Sequence, residues 1–357
     1  MMDPDARRTG PSPRAVVRIV VTGPTGRIGS LLALLLLAAP VRAASPPPSP
    51  RTEEIRIPTA TMPTPVPVRL WLPAGFDEAA PGSLPLLVFL HDGYGSQKSF
   101  SGRKLDRILD GMIARGEVPP MVVASPRTFG TFNSNDRLGK ARAFDFLVDV
   151  LVPELLSRLP QLRRDRAGRG LTGISMGGYG SLKIFLRRPE LYGAVSALSP
   201  WVEDLSFEFQ RTQGLISKLT LGRVFGKTAE TSTIRSESLF VILDGPCLPR
   251  SGGPSLLLVA GDAERWVVNG SVRRLEGALE AAGIPFESRT RPGGHDWDFW
   301  RASFPEIVLF HAATFGTPPA AQEGPGSDLG SPDRHCRSLA SEIRTGATKP
   351  FYLYSTP

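Results

Sequence analysis

The chain has 357 residues, 41% of them hydrophobic, which is enough to bury the core of one large α/β domain or of two small ones. This composition excludes a fibrous or largely disordered protein. Of the formal net charge of +8, residues 1–43 contribute +4, and the remainder is spread without runs of Lys and Arg among aromatic residues. A nucleic-acid partner is therefore not expected. The two cysteines, Cys247 and Cys336, permit a disulfide without implying one, and they lack a zinc-type spacing, so no metal site is expected.

The N-terminus has the features of a secretory signal peptide over residues 1–43. Several arginines precede an apolar run at 31–39, and the small-residue segment 41–43 resembles a cleavage site. The run is too short to span a bilayer, so no stable membrane anchor is expected. We therefore expect a secreted protein, periplasmic or extracellular.

A second interpretation of the same region starts from the glycine motif at residues 22–29. This motif resembles the dinucleotide-binding fingerprint of short-chain dehydrogenases, which requires a second strand with a ribose-binding acid about 20 residues further on. The proline-rich segment 44–50 occupies that place and cannot form a strand. The signal peptide is the favoured interpretation, and no cofactor is expected.

After a proline-rich linker at 44–53, a catalytic domain is expected over residues 54–316. Residues 54–58 and 66–72 have strand patterns, and Pro67 favours an edge position for the second strand. Residues 84–91 form an apolar strand typical of a parallel sheet, and it ends in the loop His91-Asp92-Gly93-Tyr94-Gly95.

Strands and helices then alternate, which predicts an α/β fold with a doubly wound, mostly parallel sheet, as in the α/β-hydrolases. The expected strands and helices are 101–115 (helix), 120–125 (strand), 141–159 (helix), 194–198 (strand), 255–260 (strand), 270–282 (helix) and 285–290 (strand). Residues 202–253 break the alternation and predict an insertion over the carboxyl edge of the sheet, which either shapes a substrate pocket or is a surface excursion. The Gly-, Pro- and Ser-rich tail 317–357 is expected to be disordered.

The segment Gly173-Ile174-Ser175-Met176-Gly177 lies between a predicted strand and a predicted helix. This is the context of a nucleophile elbow, in which a strained turn exposes a serine and the glycines prevent clashes between backbones. The alternative is a glycine-rich turn that happens to contain a serine. The elbow interpretation predicts an acid and a histidine later in the chain, in that order.

His295, in a glycine-flanked loop after the last predicted strand, is the histidine in the required order. His91 precedes the serine, His311 lies in an apolar helix, and His335 falls in the tail. For the acid, Glu264 is preferred because it stands three residues after Gly261, where an aspartate is usual. Asp262 is the rival, and Asp244 is a weaker third choice because it precedes the expected acid-bearing strand.

Three segments together resemble the esterase family that includes S-formylglutathione hydrolases, feruloyl esterases and mycolyltransferases. They are the elbow at 173–181, the turn at 188–193 and the histidine segment at 292–300, and the resemblance covers most of residues 55–315. The resemblance implies that Ser175 is the nucleophile, that His295 is the base, and that the amides of Gly93 and Met176 form the oxyanion hole. Two departures accompany it: Glu264 replaces the usual aspartate, and Asp92 follows His91 where a glycine is common.

The expected activity is that of a serine esterase that acts through an acyl-serine intermediate, without a cofactor. The partner is expected to be a small-molecule or polysaccharide-linked ester. Two alternatives remain open from the sequence. One is a secreted acyltransferase with the same triad, and the other is a catalytically retired hydrolase fold that only binds ligands.

Overall fold

The structure, a computed structural model, describes residues 49–128, 130–202, 224, 237–245, 248, 253–265 and 270–316. The predicted signal peptide 1–43, the tail 317–357 and most of the insertion 202–253 lie outside these residues, as do both cysteines and the glycine motif at 22–29. The first strand begins at Arg51, inside the segment expected to be a linker.

Eight strands form one sheet in the order β1-β2-β4-β3-β5-β6-β7-β8. The strands are β1 Arg51–Ile57, β2 Val66–Leu72, β3 Leu86–Leu90, β4 Val122–Pro126, β5 Arg169–Ile174, β6 Ala194–Leu198, β7 Ser255–Gly261 and β8 Glu287–Arg291. The β1–β2 and β2–β4 pairs are antiparallel, and all other pairs are parallel. The mostly parallel sheet of an α/β-hydrolase is confirmed, and β5, β6 and β7 are direct neighbours in it.

Helices connect the parallel strands and cover both faces of the sheet. They are α1 Ser99–Gly102, α2 Leu105–Ala114, α3 Ala143–Asp145, α4 Leu151–Arg158, α5 Met176–Arg187, α6 Leu239–Leu243, α7 Ser271–Ala281 and α8 Trp297–Phe315. Within the part of the chain that the structure describes, no helix is both long and apolar enough to cross a bilayer.

Two predicted helices are interrupted. The helix expected at 101–115 is divided into α1 and α2 because Lys104 adopts a left-handed conformation, with φ at 65°. The helix expected at 141–159 contains a π-helical stretch, Phe146–Val150, between α3 and α4. Pro153 follows this stretch and has no N–H to donate to the carbonyl of Asp149, so the wider turn comes just before the proline.

The sheet is buried on both faces, because alternate residues of its central strands enter two separate hydrophobic clusters. Leu86 and Val88 pack in one cluster with α4, α5 and α7, whereas Leu87 and Phe89 pack in the other with α2 and α8. The apolar residues at helical spacing in the segment 141–159 lie in the first cluster: Phe144, Leu147, Val148, Leu151 and Leu155. Continuously apolar strands are therefore explained by burial from both sides.

The edge position expected for Pro67 is wrong, because β2 lies between β1 and β4. Pro67 is tolerated as the second residue of β2, since the pairing with β4 starts only at Val68. The Pro67 carbonyl is still used, and it accepts a hydrogen bond from the N–H of Arg127 at 2.9 Å. A proline at a strand end therefore does not by itself mark an edge.

Candidate active site

Ser175 stands alone between β5 and α5, in a conformation that non-glycine residues rarely adopt. Its φ is 56° and its ψ is −111°. The backbone around it is held by three hydrogen bonds: its N–H donates to Leu198 O at 3.0 Å, and its carbonyl accepts from Tyr179 N at 2.9 Å and Trp201 N at 3.1 Å. The strained turn is therefore fixed from both α5 and the end of β6.

The glycines around Ser175 are required by the close packing of backbone segments. A Cβ on Gly173 would lie 2.2 Å from the backbone of Gly177, and one on Gly177 would lie 2.1 Å from the carbonyl oxygen of Leu90. A Cβ on Gly178 would lie 2.9 Å from the Cα of Pro200. The first turn of α5 is thus pressed against the ends of β3 and β5, which fixes the place of the serine.

The structure brings Ser175, His295 and Glu264 together in one hydrogen-bonded row. The Nε2 of His295 lies 2.9 Å from Ser175 Oγ, and its Nδ1 lies 3.0 Å from Glu264 Oε2. The imidazole is partly exposed, whereas the glutamate side chain is fully buried. The three residues come from the ends of β5 and β7 and from the loop after β8, although 120 positions separate the serine from the histidine.

Glu264 follows β7 in a tight turn, and both of its carboxylate oxygens have donors. Oε1 accepts from the N–H of Gly261 at 2.8 Å and from the hydroxyl of Ser199 at 2.5 Å. Oε2 is directed at His295. A buried carboxylate needs such compensation, because its charge would otherwise be strongly disfavoured away from water.

The two other candidate acids are placed differently. Asp262 is exposed, and its Oδ1 accepts a hydrogen bond from the N–H of Gly293 at 3.1 Å, two residues before the histidine. Its carboxylate therefore holds the histidine loop, while Glu264 contacts the imidazole. Asp244 lies at the C-terminal end of α6.

The predicted oxyanion-hole residues, Gly93 and Met176, lie side by side. A Cβ built on Gly93 would be 4.0 Å from the Cβ of Met176, the first residue of α5. The N–H groups in the first turn of a helix have no partner within the helix, so the amide of Met176 is available to an oxygen of a ligand. The helix dipole adds to the positive potential at this point.

His91 fixes the loop that carries Gly93. It is completely buried, its Nδ1 lies 2.8 Å from the carbonyl oxygen of Asp92, and its Nε2 accepts from the N–H of Thr128 at 3.3 Å. A neutral ring with the proton on Nδ1 satisfies both contacts. Burial lowers the pKa of His91, which keeps the ring neutral.

Three further residues in contact with this site were not identified from the sequence. Ser199 donates to Glu264, and the indole Nε1 of Trp300 donates to Ser199 Oγ at 2.9 Å. Asn133 has a positive φ of 51° and donates from Nδ2 to the carbonyl of Met176 at 3.1 Å. Ser199 had a usable signal, since it directly follows the strand next to β5, and neighbouring parallel strands end at the same edge. We see no such signal for Asn133.

Comparison with known proteins identifies the family. The Putative esterase family matches residues 59–237, which is half of the chain. The chain belongs to this family. A curated relative from Xylanibacter ruminicola, an endo-1,4-beta-xylanase/feruloyl esterase, is 30% identical over 137 residues, which are 36% of this chain and 19% of the relative. The chain therefore matches only about a fifth of that relative's length.

Solved structures confirm the fold that the resemblance implied. A ferulic acid esterase superposes with a TM-score of 0.62 at 19% identity and covers 75% of this chain and 100% of its own. An S-formylglutathione hydrolase from Agrobacterium tumefaciens superposes with a TM-score of 0.58 at 17% identity and covers 75% of this chain and 95% of its own. The α/β-hydrolase fold predicted from the sequence is thus shared with both proteins.

Proposed function

We propose that this esterase-family protein is a serine carboxylic ester hydrolase that acts through an acyl-serine intermediate. The observation that carries the proposal is the unbroken row from Ser175 Oγ to His295 and on to Glu264, with distances of 2.9 Å and 3.0 Å. Membership of the family supports ester cleavage as the reaction. The strained backbone of Ser175 adds support, because such strain is typical of functional sites.

In the first step, Ser175 Oγ attacks the ester carbonyl while His295 Nε2 accepts its proton. The histidine can do this when its own proton is on Nδ1, where Glu264 accepts a hydrogen bond from the N–H group. The carboxylate then stabilises the imidazolium that forms. The carbonyl oxygen becomes an oxyanion, and the amides of Gly93 and Met176 donate to it.

The tetrahedral intermediate collapses when the bond between the carbonyl carbon and the alkoxy oxygen breaks. His295 returns its proton to the leaving alcohol, and the acyl group stays on Ser175. Water then attacks the acyl-serine, and His295 again accepts a proton. The second collapse releases the carboxylic acid and restores the serine, so atoms and protons balance without a cofactor.

For the substrate, we propose small acyl or aryl esters, including esters linked to polysaccharides, met outside the cytoplasm. The Xylanibacter relative, a xylanase/feruloyl esterase, supports this class, as does the signal peptide predicted at 1–43. Access to the serine is consistent with a bulky substrate, because His295 is partly exposed and Tyr94, next to Gly93, is 84% exposed.

The test is hydrolysis of p-nitrophenyl acetate by Ser175→Ala. Removal of a serine nucleophile from such a triad lowers kcat by about 10⁶-fold, and the variant should keep its fold because Ser175 is only partly buried and the change removes one oxygen atom. Ser288→Ala, an exposed serine in β8, is the matched control and should keep full activity. A fluorophosphonate should label the wild-type protein and not Ser175→Ala. Undiminished turnover by Ser175→Ala would refute the proposal.

A further inference from the structure

We infer that Ser199 and Trp300 are positioning residues that set the geometry between the acid and the histidine. This inference rests on the proposed serine esterase function. Neither residue belongs to the triad, yet Ser199 contacts Glu264 and Trp300 contacts both Ser199 and His295.

The direction of the Ser199 hydroxyl is determined by its two partners. The Nε1–H of Trp300 can only donate, so it occupies an acceptor site on Ser199 Oγ at 2.9 Å. The single hydroxyl proton is then free for Glu264 Oε1, 2.5 Å away. A hydrogen bond to an ionised group is stronger than one between neutral groups, and this one is fully buried.

The backbone of Ser199 is held in an unusual conformation. Its φ is 49°, and its N–H donates to Val259 O in β7 at 2.7 Å. A glycine would adopt this conformation without strain, whereas a serine is strained in it, at a cost in stability. The side chain must offset that cost, and its two buried hydrogen bonds are the interactions that do so.

Trp300 connects the acid to the histidine, because it contacts both Ser199 and His295. Its ring lies 4.9 Å from that of His295 at an interplanar angle of 87°, an edge-to-face contact. Through its indole N–H it also orients Ser199. One tryptophan thus limits rotation of the imidazole and, through the serine, rotation of the carboxylate.

The hydrogen bonds to Glu264 determine which of its two carboxylate oxygens faces His295. Gly261 N and Ser199 Oγ occupy Oε1, so Oε2 is left for His295. Without the hydroxyl, only Gly261 N would hold Oε1, and the carboxylate could turn away from the imidazole. The expected loss is in the chemical step, because Ser199 is completely buried and cannot touch the substrate.

The experiment compares Ser199→Gly with Ser199→Ala under p-nitrophenyl acetate turnover. Both remove the hydroxyl, but glycine fits the positive φ, so Ser199→Gly should remain folded even if Ser199→Ala does not. We expect kcat to fall about 10- to 100-fold in each, with KM unchanged. The acidic limb of the pH profile of kcat/KM should move to lower pH, because a carboxylate that has turned away from the imidazole stabilises the imidazolium less.

Two comparisons separate positioning from packing. Trp300→Phe keeps a ring beside His295 but removes the donor to Ser199, so its kcat should fall less than that of Ser199→Gly. Ser196→Ala is the control: it is an equally buried serine of β6, hydrogen-bonded to Thr172 and His311 away from the site, and it should keep kcat.

A wild-type kcat and pH profile in Ser199→Gly would overturn the inference, and so would an equal loss in Ser196→Ala. Failure of the proposed function is distinguishable from either result. In that case the wild-type protein itself would neither turn over the ester nor react with a fluorophosphonate.

Discussion

Replacement of Glu264 by glutamine tests whether this carboxylate orients His295 and fixes the tautomer of its ring. The variant keeps the size of the side chain but changes one acceptor oxygen into an NH₂ donor. In the native site Oε1 accepts from two groups, and one of them, the backbone N–H of Gly261 at 2.8 Å, can only donate. The amide oxygen of the glutamine must therefore take the place of Oε1, because an NH₂ there would face another donor.

The NH₂ group then faces Nδ1 of His295. It can donate only to an unprotonated Nδ1, so the ring proton moves to Nε2, the atom that faces Ser175 Oγ. A histidine in this tautomer cannot accept the serine proton, and the charge that stabilises the imidazolium is also lost. A wrong tautomer of this kind lowers kcat by about 10⁴-fold, or about 5 kcal/mol in the activation free energy.

The assay is kcat for p-nitrophenyl acetate, with a fluorophosphonate labelling rate as a second measurement. Asp262→Asn is the matched control, since its amide oxygen can still accept from Gly293 N and the residue is exposed. It should keep kcat within about threefold of the wild type, because surface changes of this kind have small energetic effects. The reasoning is refuted if Glu264→Gln retains a tenth of the wild-type kcat, or if Asp262→Asn loses more than Glu264→Gln.

Two predictions concern stability, measured by urea unfolding. Burial lowers the pKa of His311 from 6.5 to about 3, so the unfolded chain binds a proton that the folded chain does not, and stability falls as pH drops below 6.5. By pH 5 this loss should reach about 2 kcal/mol, and His311→Leu should abolish that part of the slope; an unchanged slope would contradict the assignment. Gly177→Ala should unfold the protein because its Cβ would meet Leu90 O at 2.1 Å, whereas Gly277→Ala, with nothing within 4 Å in α7, should stabilise it by about 1 kcal/mol. Equal effects of the two glycine substitutions would refute the packing argument.

The sheet was predictable because its central strands are buried on both faces. Continuous apolar runs such as Leu86–Leu90 can be recognised in a sequence, and their alternation with helices gives the doubly wound order. The positions of Ser175 and His295 were also predictable. The turn at the serine needs glycines at fixed spacings, and the order of serine, acid and histidine leaves one suitable histidine.

What could not be predicted depends on contacts between distant parts of the chain. The helix break at Lys104 and the position of Pro67 in an interior strand depend on how the neighbouring segments pack. Secondary-structure propensity does not predict either feature. Glu264 and Asp262 stand two residues apart on one loop, and only the fold shows that one carboxylate is buried beside the imidazole and the other exposed beneath its loop.

Glu264 stands where the sequence resemblance implied an aspartate, and residues at the ends of β6, β7 and β8 accommodate it. Glu264 reaches back so that Oε1 lies against Gly261 N, and a Cβ on Gly261 would be only 2.3 Å from Gly293 O, so the turn and the histidine loop are in direct contact there. Ser199 also holds Oε1 of Glu264, which the longer side chain could otherwise misdirect. This serine directly follows β6, the strand that lies between β5 and β7. The parallel order of β5, β6 and β7 thus does more than expose a nucleophile. It also places the hydroxyl of Ser199 where Oε1 of Glu264 accepts its second hydrogen bond.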